Sequence, residues 1–347
     1  MKIKLLKKLT MGLVCLTMAT SLLACGSSNN SPANTKNKNI SESSTKADSH
    51  YPVTITNYNY AGEEIKVTYD KAPERVLPIY QTTVELMLDL GLGDKIIGAC
   101  GMDNPVLDTL KDQYDKIPQI SDKTFTKEQI LDMNPDMIVT WKSIFSDKKL
   151  GDVTDWTSRG INTFVQRNTV KQIGDYTIDN VINDINDLGN IFNIQDKTNS
   201  YVNNMKDRLS VVEDKTSKID KKKNVLILEQ ESEGQYRAYG KNDLVGDMIA
   251  KAGGENLGVK SGEMSAEDIV AANPDVIVVV HFEDGKNIDD KSIFEIYTGN
   301  PAFANVTAVK NNDFIVTGLA ETWAGGIRVV DAVERYFKEL YPNIDKD

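Results

Sequence analysis

Two histidines and three cysteines in 347 residues leave little material for several kinds of chemistry. His50 sits in a polar stretch near the start, which makes His281 the one histidine in a folded pattern. No His-Glu-x-x-His or Cys-x-x-Cys spacing offers a metal cage. Gly-x-Ser-x-Gly elbows and Gly-Lys-Ser/Thr phosphate loops are also missing, so neither a hydrolase nucleophile nor a phosphate cradle is in view, and an enzyme is not expected. Positive charge is short as well. The chain carries 40 Lys and Arg against 51 Asp and Glu. Loss of the four lysines in the first eight residues would leave 36 against 51 and a net charge of about −15, which argues against a nucleic-acid partner.

What the chain does have begins at its N-terminus. Lys2, Lys4, Lys7 and Lys8 precede an apolar run from Met11 to Ala24 that is too short to span a bilayer and gives way at once to polar sequence, the form of an export signal over residues 1–24. The run ends in Leu22-Leu23-Ala24-Cys25-Gly26-Ser27, which resembles the bacterial lipobox. That resemblance implies that Cys25 carries acyl chains (palmitate-type) and tethers the protein to the extracytoplasmic face of the cell membrane; each buried methylene contributes about 0.8 kcal/mol. Residues 25–50 are poor in large apolar side chains and read as a flexible tether. Cys15 leaves with the signal and Cys25 carries lipid, so Cys100 has no partner for an internal disulfide.

The remaining chain of roughly 295 residues exceeds what one core usually serves. An internal repeat divides it. Phe125–Val139 and Met264–Val278 match at a constant offset of 139 residues: a hydroxyl N-cap (Thr126, Ser265), a short helix, Asn-Pro-Asp, then a β-branched strand. Strand and helix patterns alternate around each copy, from Arg75–Ile79 into Thr83–Leu90 and from Asn224–Leu228 into Leu244–Ala250, which predicts parallel α/β layers. Between the copies, Asp179 to Val212 keeps an amphipathic helical spacing with one break at 193–195. The expected architecture is two Rossmann-like α/β lobes, residues 51–178 and 221–347, joined by a long linker helix and turn over 179–220, with a cleft between the lobes.

These landmarks, in order, resemble the periplasmic-binding-protein family for iron-siderophores, heme and vitamin B12: Ala72-Pro73-Glu74-Arg75-Val76, Leu90-Gly91-Leu92-Gly93-Asp94, Asn134-Pro135-Asp136, Ala252-Gly253-Gly254-Glu255-Asn256, Asn273-Pro274-Asp275 and Ala308-Val309-Lys310. The resemblance implies a solute-binding protein of an ABC importer that works as a monomer with a permease and its ATPase. It further implies a shallow cleft with little hinge closure, and one glutamate on each lobe docking into the permease; by motif position these are Glu128 and Glu267. First-turn acids also favour the helix macrodipole by about 0.3–1 kcal/mol, a role compatible with docking.

Ligands in open parallel sheets gather beyond the carboxyl ends of the strands. The candidates there are Tyr80 with Gln81, Trp141 with Lys142, and Gln166 with Arg167. From the second half come Glu229 to Glu231, Tyr236, Arg237, Tyr239, His281 with Phe282, Trp323 and Arg328. Aromatic faces and guanidinium groups suit a ferric siderophore, whose rim is apolar or aromatic and whose charge is often negative. Arg167, Arg237 and Arg328 are the expected anion contacts, although each is as readily tied to a local carboxylate, and Tyr80 or Trp141 could serve packing alone. Glu229, Glu231, Glu283 and Glu321 keep the charge of the ligand open. No metal cluster or resident cofactor is expected. Heme, with His281 or Tyr80 as axial ligand, and a corrinoid stay open as alternative ligands, as does a sensor or adhesion lipoprotein without a permease.

Overall fold

The computed structural model describes residues 50–232, 234–281 and 290–344. The export signal, Cys25 and the tether up to residue 49 lie outside them, as do Phe282, Glu283 and the side chain of Glu231.

The chain enters through an antiparallel hairpin of β1 (Val53–Tyr58) and β2 (Glu64–Tyr69). Asn57, buried in β1, donates to the carbonyl and hydroxyl of Thr163 and accepts from Val165 N, so one amide side chain pins the hairpin to the first lobe. That lobe is built on the parallel strands β3 (Val76–Pro78), β6 (Met137–Thr140) and β7 (Asn162–Val165), in the order β3-β6-β7. The short pair β4 (Ala99–Cys100) and β5 (Ile120–Ser121) attaches to the β3 side through bridges at Val76–Ile96 and Ile79–Cys100. Helices α1 (Gln81–Asp89), α2 (Asp108–Tyr114), α3 (Lys127–Met133) and α4 (Val153–Thr157) alternate with these strands.

The connection between the lobes is helical, as the spacing requires, and the break at 193–195 is a real turn. α5 (Ile178–Phe192) ends on Asn193 in the left-handed conformation and α6 (Gln195–Thr216) begins almost at once. The two helices approach closely: a Cβ on Gly189 would lie 2.1 Å from the Thr198 hydroxyl. The connection is therefore a bent helix pair rather than one uninterrupted rod.

The second lobe holds β8 (Asn224–Ser232), β9 (Gln235–Ala238), β10 (Glu255–Asn256), β11 (Gly262–Met264), β12 (Val276–His281) and β13 (Phe314–Gly318) in one sheet ordered β11-β9-β8-β12-β13, with β10 also pairing β8. β8, β12 and β13 are parallel, and β9 and β11 run as antiparallel additions at one edge. Around it lie α7 (Leu244–Lys251), α8 (Ala266–Ala272), α9 (Asp290–Thr298), α10 (Thr307–Asn311), α11 (Leu319–Thr322) and α12 (Val329–Leu340).

Both copies of the repeat fold alike. Thr126 and Ser265 each complete a capping box, with Gln129 and Asp268 as reciprocal partners. Asn134 (φ +49°) and Asn273 (φ +41°) then turn the chain out of the helix in the left-handed region that asparagine tolerates. The aspartate that follows clamps the start of the neighbouring strand: Asp136 accepts from Glu74 N and Arg75 N, and Asp275 from Asn224 N.

Period-two alternation sorts the strands between cores. Val76, Met137 and Val139 of the first lobe, with Val225, Ile227, Val276, Val278 and Val280 of the second, face one core that runs on through α1, α5, α6, α7 and α12. Their neighbours Leu77 and Ile138 face a second core in the first lobe, and Leu226, Leu228, Ile277 and Val279 a third in the second lobe. Because the largest core is shared by both lobes and the linker helices, burial at about 25 cal/mol per Å² of apolar surface resists separation of the lobes.

Candidate functional site

The strand ends converge where the lobes meet. Tyr80 follows β3 with φ +78° and ψ 145°, a conformation nearly reserved for glycine, and its N–H donates to the Cys100 carbonyl. That backbone places the phenol against the Trp141 indole, with ring centroids 4.1 Å apart. Trp141 follows β6; its N–H donates to the Thr82 hydroxyl (3.1 Å) and to Gln166 Oε1 (3.0 Å). Trp141 in turn lies parallel to Trp323 of the second lobe, at 5.9 Å and 6°. Trp323 takes the Arg237 guanidinium over its ring at 4.8 Å, and Tyr239 takes the same group at 5.3 Å. The Trp323 N–H donates to the Tyr239 hydroxyl (3.0 Å), which donates to Glu229 (2.6 Å). Burial, then the neighbouring Glu229 carboxylate, pushes the Tyr239 phenol well above its usual range, so it stays protonated and able to do both.

A cavity of about 410 Å³ opens beside this ladder, lined by Arg237, Tyr239, Trp323, Lys171, Lys260, Tyr176 and Asp243 among others. Its cations set it apart. Beyond the two rings, the Arg237 guanidinium makes one long hydrogen bond, to the Ser261 hydroxyl at 3.5 Å, and neither it nor Lys171 nor Lys260 forms an ion pair among the described residues. Asp243 accepts from Gly240 N; burial raises its carboxyl, and the charges of Arg237 and Lys171 act against that through space.

The other two expected arginines are engaged elsewhere. Arg167 is bound by Asp184 (2.6 Å) and Asp187 (2.5 Å) of α5, with Asp184 only 2% exposed. Arg328 forms a bidentate pair with Glu85 of α1 at 2.8 and 2.6 Å and also donates to the Pro105 carbonyl. Glu85 is buried, so Arg328 acts as a clamp between the lobes. Two further bonds reinforce it: Gln166 Nε2 donates to the Gly325 carbonyl, and Ala320 N donates to Asn104 Oδ1. Glu321 is taken by Arg335 and Thr317, and Tyr236 is packed in the second-lobe core. Gln81 accepts from Asp103 N and Asn104 N, and Lys142 donates to Gln172.

His281 ends β12 opposite Gly318, and its Nε2 is buried with no hydrogen-bond partner among the described residues. No group of three or more His, Cys, Asp and Glu among the described residues is arranged to hold a metal ion. Asp103, which sequence reasoning passed over, sits partly buried in the loop after β4; burial raises its carboxyl to about 6, and it in turn helps raise Tyr80. Its one sequence signal is position, since it follows a strand end. Cys100 is fully buried, and burial pushes its thiol up to about 11, which keeps it an inert thiol. Glu128 and Glu267 are both exposed, each in the first turn of its capped helix.

Residues 77–319 match the periplasmic binding protein family. The chain belongs to that family. Its relatives include an uncharacterized ABC transporter substrate-binding lipoprotein of Bacillus subtilis, YvrC, 23% identical over 96% of each chain. An iron-uptake system-binding protein of the same bacterium is 26% identical over 92% of this chain and 94% of its own. Among solved structures, a periplasmic binding protein from Veillonella parvula superposes with a TM-score of 0.76 at 29% identity, covering 85% of this chain and 93% of its own. An ABC-type Fe3+-hydroxamate transport system structure from Saccharomonospora viridis shares the fold at 0.69 and 24%, covering 84% and 99%. As a member of that family the protein is a solute-binding component of transport, not an enzyme. None of its described helices is long and apolar enough to cross a membrane.

Proposed function

We propose that this is an extracytoplasmic lipoprotein, anchored through Cys25, that captures a ferric siderophore and hands it to an ABC permease that Glu128 and Glu267 engage. One observation carries the ligand: Arg237 is held against Trp323 and Tyr239 without an ion-paired carboxylate among the described residues, in a cavity that Lys171 and Lys260 also face. In a chain with an excess of acidic residues, cations that form no ion pair among the described residues, tempered through space by Asp243 and set beside aromatic faces, suit an anionic complex with an aryl rim, such as a ferric catecholate. Two relatives, one an iron-uptake binding protein and one from an Fe3+-hydroxamate transport system, support iron as the cargo. Heme is the second reading, favoured by the buried Nε2 of His281, which would serve as an axial ligand.

The test is fluorescence titration of the chain without residues 1–25 against ferric catecholate, hydroxamate and citrate complexes, heme and cobalamin. Trp156 is buried in the first-lobe core, so Trp141 and Trp323 report the cleft. Saturable quenching by a ferric siderophore, weakened in Arg237→Ala, is expected. Saturation by heme alone, with a Soret shift lost in His281→Ala, would replace the first reading by the second, and quenching by nothing would remove both.

A further inference from the structure

The turn that leads from α6 into the second lobe concentrates positive charge in an acidic protein. Residues 215–223 hold five lysines, Lys215, Lys218, Lys221, Lys222 and Lys223, against one carboxylate, Asp220, while the whole chain carries a net charge of −11. Glu213 and Asp214 border the cluster on α6. Lys218, Lys221 and Lys222 are exposed, and neither they nor Lys223 form an ion pair among the described residues. Glu255 lies close enough to feel Lys222 through space, but its ion pair is with Lys241. Lys221, Lys222 and Lys223 line a pocket of about 250 Å³ that Asp275 and Asp313 also face. Three ammonium groups against two carboxylates leave one positive charge, the complement of a single phosphodiester.

Its place in the fold gives this cluster a direction. β8, β12 and β13 lie side by side and parallel, and Lys223, Asp275 and Asp313 directly precede their first residues, Asn224, Val276 and Phe314. The pocket is therefore at the amino ends of the second-lobe strands, opposite the carboxyl ends beyond which Trp323 meets the cleft. The N-terminal segment enters on the same side. Asn162, the first residue of β7, donates to the Thr68 carbonyl, and Thr68 pairs with Thr54 near the start of β1, so β1 begins beside the amino ends of the first-lobe strands. His50, three residues before β1, bonds the Asn190 carbonyl near the end of α5 and contacts Gln195, the first residue of α6. From there α6 runs 22 residues, about 33 Å, to the lysine turn. Entry point and lysine turn thus mark the two ends of one helix, both on the side away from the cleft.

We propose that the face around Lys218, Lys221, Lys222 and Lys223 rests on the anionic phospholipid headgroups of the membrane that holds Cys25, which turns the cleft outward to capture solute. This rests on the anchor reading and goes beyond it. A charge run alone is an ordinary solvated turn; here the anchor brings it to a surface. An acidic chain held beside an anionic bilayer is repelled on most of its faces, and the lysine turn is the face that can approach. The 25 residues from Cys25 to Ser49 reach at most about 85 Å, so the anchor keeps the lysines at a high effective concentration of lipid and still lets the loaded protein turn its cleft to the permease.

The experiment uses the full lipidated protein in vesicles of phosphatidylcholine alone or of equal parts phosphatidylcholine and phosphatidylglycerol. A donor dye is attached at Ser217→Cys, within the lysine turn, or at Val259→Cys, next to Lys260 of the cleft cavity, and energy transfer to an acceptor on the lipid headgroups is measured. Both positions are exposed, and Cys100 is buried away from the dye. On the anionic vesicles transfer from Ser217→Cys should exceed that from Val259→Cys. The excess should vanish on phosphatidylcholine and at about 1 M salt, where charges are screened within about 3 Å. It should also vanish when Lys218, Lys221 and Lys222 are all changed to Glu, since each lysine at an anionic surface favours contact about fivefold. Changing the same three to Arg should preserve it, which separates charge from folding. Equal transfer from the two positions on anionic vesicles, or an excess that survives the change to Glu, would overturn the pose alone. Wash-off of the wild-type protein from phosphatidylcholine vesicles would instead defeat the Cys25 anchor, and the pose would fall with it.

Discussion

Arg328 and Arg237 both lie in the second lobe where the two lobes meet, and the protein uses them in opposite ways. Arg328 reaches across to a buried carboxylate and is spent on holding the lobes together; Arg237 lies on aromatic faces beside a cavity, forms no ion pair among the described residues and feels Asp243 only through space. Arg167 follows the first pattern, bound by Asp184 and Asp187. The difference teaches that a guanidinium at a cleft is informative only with its counter-ions known. A paired one is architecture, and one kept in place by π faces and a hydroxyl is available to a ligand.

That contrast can be broken most forcefully at the clamp. Arg328→Ala leaves Glu85 buried without its cation, and a loss of about 3–5 kcal/mol in unfolding free energy is expected by chemical denaturation, with much less if Glu85→Gln is added. Arg237→Ala should do the reverse. Tm is expected to stay near wild type, while affinity for an anionic ferric complex falls by about 1.5–3 kcal/mol, roughly ten- to hundredfold, measured by the same fluorescence titration.

Asp103 sharpens the comparison from the acidic side. Its folded value, about 6, lies above that of an exposed aspartate, so ionising it costs folding energy. The cost is absent near pH 4, grows as pH rises and is complete above 6. Asp103→Asn should therefore stabilise the protein by on the order of 1–3 kcal/mol at pH 7 and by little near pH 4, read from denaturation curves at the two pH values. The smallest effect is at the repeat: Thr126→Ala and Ser265→Ala should each cost about 1 kcal/mol, equally in the two lobes, because the capping boxes are alike.

Much of this architecture is legible in the order of residues alone. The repeat at 125–139 and 264–278, its hydroxyl caps and Asn-Pro-Asp stops, and strands such as Asn162–Val165 depend on residues within a few positions of one another. Tyr80, Trp141, Arg237, Tyr239 and Trp323 are candidates by their place near strand ends, and they do converge. What sequence does not reveal is who pairs with whom. Glu85 and Arg328 are 243 residues apart, Gln166 and Gly325 are 159, and Asn104 and Ala320 are 216, with no local pattern linking any of them. Asp103 escapes sequence reasoning on similar grounds, since its raised carboxyl comes from burial in a loop that carries no apolar periodicity.

By itself, then, the order of residues determined two α/β units, their caps and the helical connection with its break, because those follow from alternation, periodicity and hydrogen bonds that a short segment makes with itself. Only the tertiary structure decided that one guanidinium rests on the aromatic faces without an ion pair while two became clamps. Charge compensation is a matter of distance in space, and burial strengthens it just where chain separation hides it.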